Sequence, residues 1–290
     1  MFLRLCGLLL FCSLTFAQSS FLQDQLKWRQ EREQALKAED GWLTVSGLFW
    51  LKEGVNTFGT GKDQSIVLPK GSAPESVGTL ELAHGVVTLK VAEGVTVRQH
   101  KEEISELKME FADDSPPPPF MVGSLNLSVI KRGERYGLRV RDKNSKARRD
   151  FTGLDWFAAN PSYRVVADFN AYPEPKEILI VSVLGDQLKL KTPGTLSFVL
   201  LGKRYEVRPV IEDEKKLFII FRDLTAGKTT YGAGRYLYAE LPKDGKVVLD
   251  FNRAENPPCA FTDFATCPLP PKENRLPLAI PAGEKSYHLR

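Results

Sequence analysis

Between Phe21 and Lys37 the chain reads FLQDQLKWRQEREQALK. Apolar residues fall at Phe21, Leu22, Leu26, Trp28, Ala35 and Leu36, an imperfect helical stripe, and Gly41 is a suitable stop. The pattern predicts one amphipathic helix with Arg29, Glu31, Arg32 and Glu33 on its outer face. From Trp42 the period changes to that of strands. LTVSGLFWL, Ser65–Leu68, Gly78–Leu82 and Val86–Val91 are short β segments punctuated by Gly54, Gly59, Gly71, Gly85 and Gly94. Asp113 and Asp114 lead into Ser115 and four prolines, Pro116–Pro119, a stiff polyproline spacer that reads as a boundary. Beyond it Leu125–Ile130 and Tyr136–Val140 flank a Lys131–Glu134 turn. More strands are expected at Arg164–Phe169, Glu177–Val183, Gln187–Lys191, Thr195–Leu201, Lys203–Val210, Leu217–Arg222, Gly234–Glu240 and Lys246–Phe251.

These periods predict an all-β protein: an N-terminal amphipathic helix, a small β-sandwich, then a larger antiparallel β barrel or sandwich. The expected division is a leader at 1–17, the helix at 18–40, a small β domain at 41–114, the proline-rich connector at 115–119, and a C-terminal β domain at 120–290 closed by a Cys- and Pro-rich loop.

The first residues, MFLRLCGLLLFCSLTFA, place Arg4 before a short apolar run and end in Thr15-Phe16-Ala17. This is the form of a secretory signal peptide cut after Ala17, so the protein is expected to be exported, periplasmic or extracellular. No later apolar stretch could span a bilayer. Without the leader the chain carries 39 basic and 36 acidic residues, a formal +3, too weak for capture of nucleic acid.

Cys6 and Cys12 leave with the leader, so Cys259 and Cys267 remain. Two nearby thiols in an oxidising compartment point to a disulfide, with a metal pair or a reactive thiol as alternatives. The three histidines of the sequence, His84, His100 and His288, are not spaced as further metal ligands or as a base beside a nucleophile. No metal and no cofactor are expected.

The candidate chemistry gathers near the C-terminus. Gly232 and Gly234 allow close approach of the backbone. Arg235 offers a planar fork suited to a carboxylate or phosphate, or to ion pairing with Asp223, Asp250 or Glu273. Asp250, Asn252, Asn256 and Asn274 supply directional hydrogen bonds, Tyr231 and Phe261 a wall, and Cys259 with Cys267 would fix the loop. Prolines that stiffen this stretch hold such groups in place. The tryptophans Trp42, Trp50 and Trp156 sit in β patterns and read as core.

The stretches WRQEREQALKAEDGWLTVSGLFWLKEGVNTFGTG, RDFTGLDWFAANPSYRVVADF and TYGAGRYLYAELPKDGKVVLDFNRAENPPCAFTDFATCPLPPKENRLPLAIPAGEK together resemble a bacterial and archaeal family, domain of unknown function 1684. One departure is Glu255, where that family more often has an aromatic residue. The resemblance implies membership and no activity. Separately, the glycine and strand rhythm of Gly54–Gly78 looks like the start of a forkhead-associated sandwich. Thr60 stands where that domain's phosphothreonine-reading arginine would be, and no Ser-x-x-His follows, so phosphopeptide binding is not implied.

The reading that follows is an exported protein binding a small polar or anionic ligand at the Arg235 constellation. A hydrolase using Asp250 or Glu273 as general acid or base and a structural envelope protein are the competing classes. Whether it is an enzyme, and its oligomeric state, are not legible.

Overall fold

The computed structural model describes residues 5–111, 115–213 and 215–287. Asp113, Asp114, His288 and the first four residues of the expected leader lie outside them. The fold is all-β behind an N-terminal helix, α1, which spans Leu5–Lys37. Among the described residues no helix is long and apolar enough to cross a membrane.

Two sheets form the first unit. The strands Ile66–Val67, Gly54–Gly59, Gly78–Ala83, Val86–Val91 and Glu106–Met109 make one, in that order. The other runs Val45–Trp50, Arg135–Asp142, Leu125–Arg132, Phe120–Val122, Val97–Gln99 and Glu102–Ile104. They close on one core, in which Phe58, Leu80 and Leu89 of the first sheet meet Phe120, Leu127, Leu138 and Val140 of the second. Alternation explains the contributions: Leu125, Leu127 and Val129 point one way from their strand and Asn126 and Ser128 the other.

This pairing corrects the expected boundary. The hairpin Leu125–Arg132/Arg135–Asp142, assigned by its position to the C-terminal unit, pairs with Val45–Trp50. The proline run therefore connects Glu106–Met109 to Phe120–Val122 within the sandwich rather than between domains.

The second unit is a seven-stranded antiparallel sheet, in the order Arg235–Glu240, Lys216–Phe221, Val210–Asp213, Gln187–Leu200, Arg164–Val181 and Lys246–Asp250, with Lys203–Val207 beside Gln187–Leu200. Its two end strands come back into contact, so the sheet is nearly a barrel. Segments expected as separate strands are continuous here. Arg164–Val181 runs through Pro173 and Pro175, which fall where the register slips between Ala171 and Lys176. A bulge is where a strand tolerates a residue without an N–H.

After Asp250 the chain has no long regular element, yet it is not loose. Leu276, Leu278, Ile280 and Ala282 are all buried in the barrel core. They alternate with Pro277, Ala279, Pro281 and Gly283, so the segment is extended, and its prolines keep it from completing a ladder.

Candidate functional site

Helix α1 lies on the second unit with its polar stripe inward. Gln25, Arg29, Arg32, Glu33 and Leu36 share one face at helical spacing. Gln25 donates to Asp250 Oδ2 at 2.8 Å, and Arg29 to the Phe157 carbonyl at 2.8 Å. Arg32 donates to Glu284 Oε1 at 2.9 Å and to the Asn256 carbonyl at 3.1 Å, with Glu255 at 3.4 Å. Glu33 accepts from the Leu154 amide and Trp156 Nε1, both at 3.1 Å, and Arg253 reaches Asp24. The expected orientation is thus reversed in part: Leu22 and Leu26 are exposed and Arg32 and Glu33 face the body, while Leu36 is buried and Glu31 exposed as expected. The helix turns its charges inward because the barrel's closing tail offers carboxylates and free carbonyls. Burial alone would lower the Arg32 pKa, but Glu284 and Glu255 outweigh it and hold it above the ordinary arginine value.

The residues expected to form one ligand pocket are instead four separate clamps. Arg235 is 0% exposed. It pairs with Asp223 at 3.3 Å, donates to the Ile280 carbonyl at 2.9 Å and to the Ala282 carbonyl, and lies over the Phe221 ring. Asp223 is completed by Thr225 and the Ile280 amide. Asn252 exchanges hydrogen bonds with the Asn160 backbone and caps against Asp250. Asn256 donates from its side chain to the Lys285 carbonyl and from its amide to Glu284 Oε2. Asn274 clamps the Arg208 backbone and the Ile220 carbonyl. Phe261 packs with Leu36, Leu43 and Phe151. Gly232 is exposed. Gly234 has φ +109, and a Cβ there would meet the Phe221 carbonyl oxygen at 2.5 Å, so its absent side chain serves packing. Of the expected acids, Asp250 is filled by Gln25 and Asn252, and Glu273 is an exposed partner of Arg208.

Cys259 and Cys267 are free thiols side by side. The Cys259 amide donates to Cys267 Sγ at 3.1 Å, and Tyr231 Oη donates to the Cys259 carbonyl at 2.9 Å. The hydrogen bond from Cys267 lowers the Cys259 pKa; the same bond, then burial, raises that of Cys267.

What the clamps leave open is a cleft of about 380 Å³ between α1 and the barrel, lined by Trp28, Lys216, Tyr238, Glu240, Arg253 and Glu255. Trp28 stands edge-on to Trp156 at 5.7 Å, with Arg253 over its ring at 5.8 Å. Tyr238 lies flat on Phe218, 4.9 Å away at 10°, and is 38% exposed. Lys216 and Glu240 are directly opposed on paired strands, and Glu255 is bridged to Tyr236.

The sequence of the second unit and its tail, residues 149–285, matches the family described as Protein of unknown function (DUF1684). The uncharacterized protein from gene locus rrnAC0354 of Haloarcula marismortui, solved in solution by NMR, is 36% identical. The match covers 48% of this chain and 80% of that one, at a TM-score of 0.41. This chain belongs to the DUF1684 family. The DUF1684 match takes in the stretches beginning at Arg149 and Thr230 and leaves α1 and the sandwich outside. The FhaA FHA domain complexed with the intracellular domain of Rv3910 is 17% identical, over 32% of this chain and 97% of that one, at a TM-score of 0.23, too distant to carry an argument. No curated protein matches. DUF1684 membership brings no activity with it, so the site is read from its own chemistry.

Sequence reasoning assigned no cleft residue to a site, although it singled out Glu255 as a departure from the family and Trp28 on the helix stripe. A signal was present: Tyr238 and Glu240 alternate with the buried Leu237 and Ala239, so an aromatic ring occupies an outward strand position.

Proposed function

We propose that this is an exported binding protein for a small polar ligand, held in the cleft between α1 and the barrel. The observation that carries the reading is the pairing of Trp28 and Tyr238, aromatic faces from distant parts of the chain, around charges of both signs. Aromatic walls take a flat apolar face, while the ion-paired Arg253, Lys216, Glu240 and Glu255 can share their remaining donors and acceptors with hydroxyl, amino or carboxylate groups. The cleft volume lies within the roughly 300–1,000 Å³ usual for small-molecule sites. Arg235, Asn252, Asn256 and Asn274 serve this site from behind, by fixing the barrel and tail against which α1 is held.

Export rests on the leader sequence. The side chains named above that tie α1 to the body begin at Asp24, so cleavage after Ala17 leaves them in place. N-terminal sequencing of protein recovered outside the cytoplasm should begin at Gln18; an intact Met1 there overturns this part.

The ligand claim is tested by a thermal-shift screen of the mature protein against sugars, amino acids and polar metabolites, followed by Trp fluorescence titration. Tyr238→Ala and Arg253→Gln should abolish binding of any hit with little change in melting. A hit that both variants bind as the wild type does overturns the assignment.

A further inference from the structure

A second concentration of charge lies where the sandwich meets the loop that carries the two cysteines. Strand alternation puts Arg135, Gly137, Arg139 and Arg141 on the face of Arg135–Asp142 opposite the sandwich core, and Arg132 pairs across the hairpin with Arg135. That face meets the second unit: Arg132 Nε donates to Thr266 Oγ1 at 2.9 Å, and Thr262 Oγ1 to the Val45 carbonyl at 3.1 Å.

Most of these arginines have partners. Arg135 forks onto Asp186 at 2.6 and 2.7 Å. Arg132 also donates to the Lys131 carbonyl, and Asp40 lies within electrostatic reach of Arg141, whose Nε is buried without a hydrogen-bond partner. Arg139 differs. It is 6% exposed, and its Nε and Nη2 are both shut away from solvent with no hydrogen-bond partner. Trp42 faces it at 5.3 Å and also faces Arg141 at 5.9 Å. An aromatic face attracts the cation but accepts neither N–H in its plane. Arg139 Nε and Nη2 form one edge of the guanidinium, the pair of parallel donors that matches two oxygens of a carboxylate or phosphate. Burial, then the like charges of Arg141 and Arg132, push its pKa down to about 10. Cys267 is the nearby acidic group, and its raised pKa keeps it a neutral thiol with no countercharge to give.

We propose that this seam is an oxyanion site, in which the Nε/Nη2 edge of Arg139 takes two oxygens of a compact carboxylate or phosphate group, flanked by Arg141 and Arg132. The site is separate from the α1 cleft, shares no residue with it, and stands whether or not the cleft binds a ligand.

The test uses the mature protein with sodium phosphate, sodium acetate and sodium chloride at matched ionic strength, read by melting temperature and titration calorimetry. Phosphate, acetate or both should raise the melting temperature with the logarithm of concentration beyond the chloride control. An effect of phosphate alone assigns a tetrahedral anion, and an equal effect assigns any paired-oxygen group. Arg139→Met should melt no lower than wild type without anion, since it removes an unpaired buried charge, and should weaken binding about tenfold or more. Tyr238→Ala should leave the effect intact. Should Arg139→Met not fold, a shift of the Arg139 Nε–Hε NMR signal on phosphate addition decides, with Arg141→Gln reducing affinity. No response beyond chloride, an Arg139→Met response equal to wild type, or an unmoved Nε–Hε signal overturns the proposal.

Discussion

Arg32 and Glu284, 252 positions apart, meet at 2.9 Å with the Glu284 carboxylate fully buried. One residue belongs to the first helix and the other to the closing tail, so this pair ties the two ends of the fold together. Removing the cation leaves a buried carboxylate without its counterion. Arg32→Met should cost about 3–5 kcal/mol, measured by urea unfolding. A loss below about 1 kcal/mol would match an exposed pair instead.

Arg235 should behave as a structural residue. Its removal strands Asp223 and the Ile280 and Ala282 carbonyls in the barrel core. Arg235→Leu is expected to destabilise by about 3–5 kcal/mol or more, seen as a large fall in melting temperature. A variant that melts like wild type would contradict this role.

The thiol pair predicts a pH split. The Cys259 pKa is lowered from 9.0 and that of Cys267 raised, so in the reduced, folded protein Cys259 should alkylate at lower pH than a free cysteine, while Cys267 stays protected. Mass mapping after brief iodoacetamide treatment across pH 6–9 reads this directly, and equal labelling of both sulfurs would refute it. In an oxidising compartment the same pair should close to a disulfide, releasing two protons and passing two electrons to a thiol oxidant, and should add about 2–3 kcal/mol to stability. Alkylation without reductant should then find neither sulfur free.

Arg139 predicts a pH limit on anion binding. Facing Arg132, Arg141 and Cys267 across the seam, with Asp186 held by Arg135 and Asp40 nearer Arg141, its guanidinium loses its proton near pH 10, below the ordinary arginine range. Affinity should be flat below that pH and fall as pH rises through it. For folding the sign is opposite: from about pH 10 up to the ordinary arginine pKa the unfolded chain binds the extra proton, so this group's penalty eases as pH rises. Calorimetric titrations at pH 8 and 10.5 check the first statement.

Much of the strand inventory was legible because alternation is a local property. The hairpin at Lys131–Glu134 and the turn at Gly202 stand where the sequence puts them. What alternation cannot supply is the neighbouring strand: Val45–Trp50 claims Arg135–Asp142 across some ninety residues, and no local pattern reports that. The inner face of α1 was misjudged for a related reason. Periodicity weighs Leu22 and Leu26 as buried, but Asp250, Glu284 and the Phe157 carbonyl, all distant in sequence, make the polar face the contact. The expected site failed to gather because Asn and Arg at chain turns satisfy backbone as readily as ligand. The alternation of Leu276, Leu278, Ile280 and Ala282 was readable as a core-facing segment; the interleaved prolines disguised it.

The anchoring of α1 has a consequence for how the molecule is made. Synthesis proceeds from the amino end, so Arg32 emerges 252 residues before the carboxylate that captures it. Until Asp250, Arg253 and Glu284 have been made, the helix lacks most of its anchors, so Glu284→Gln should loosen it and with it one wall of the cleft.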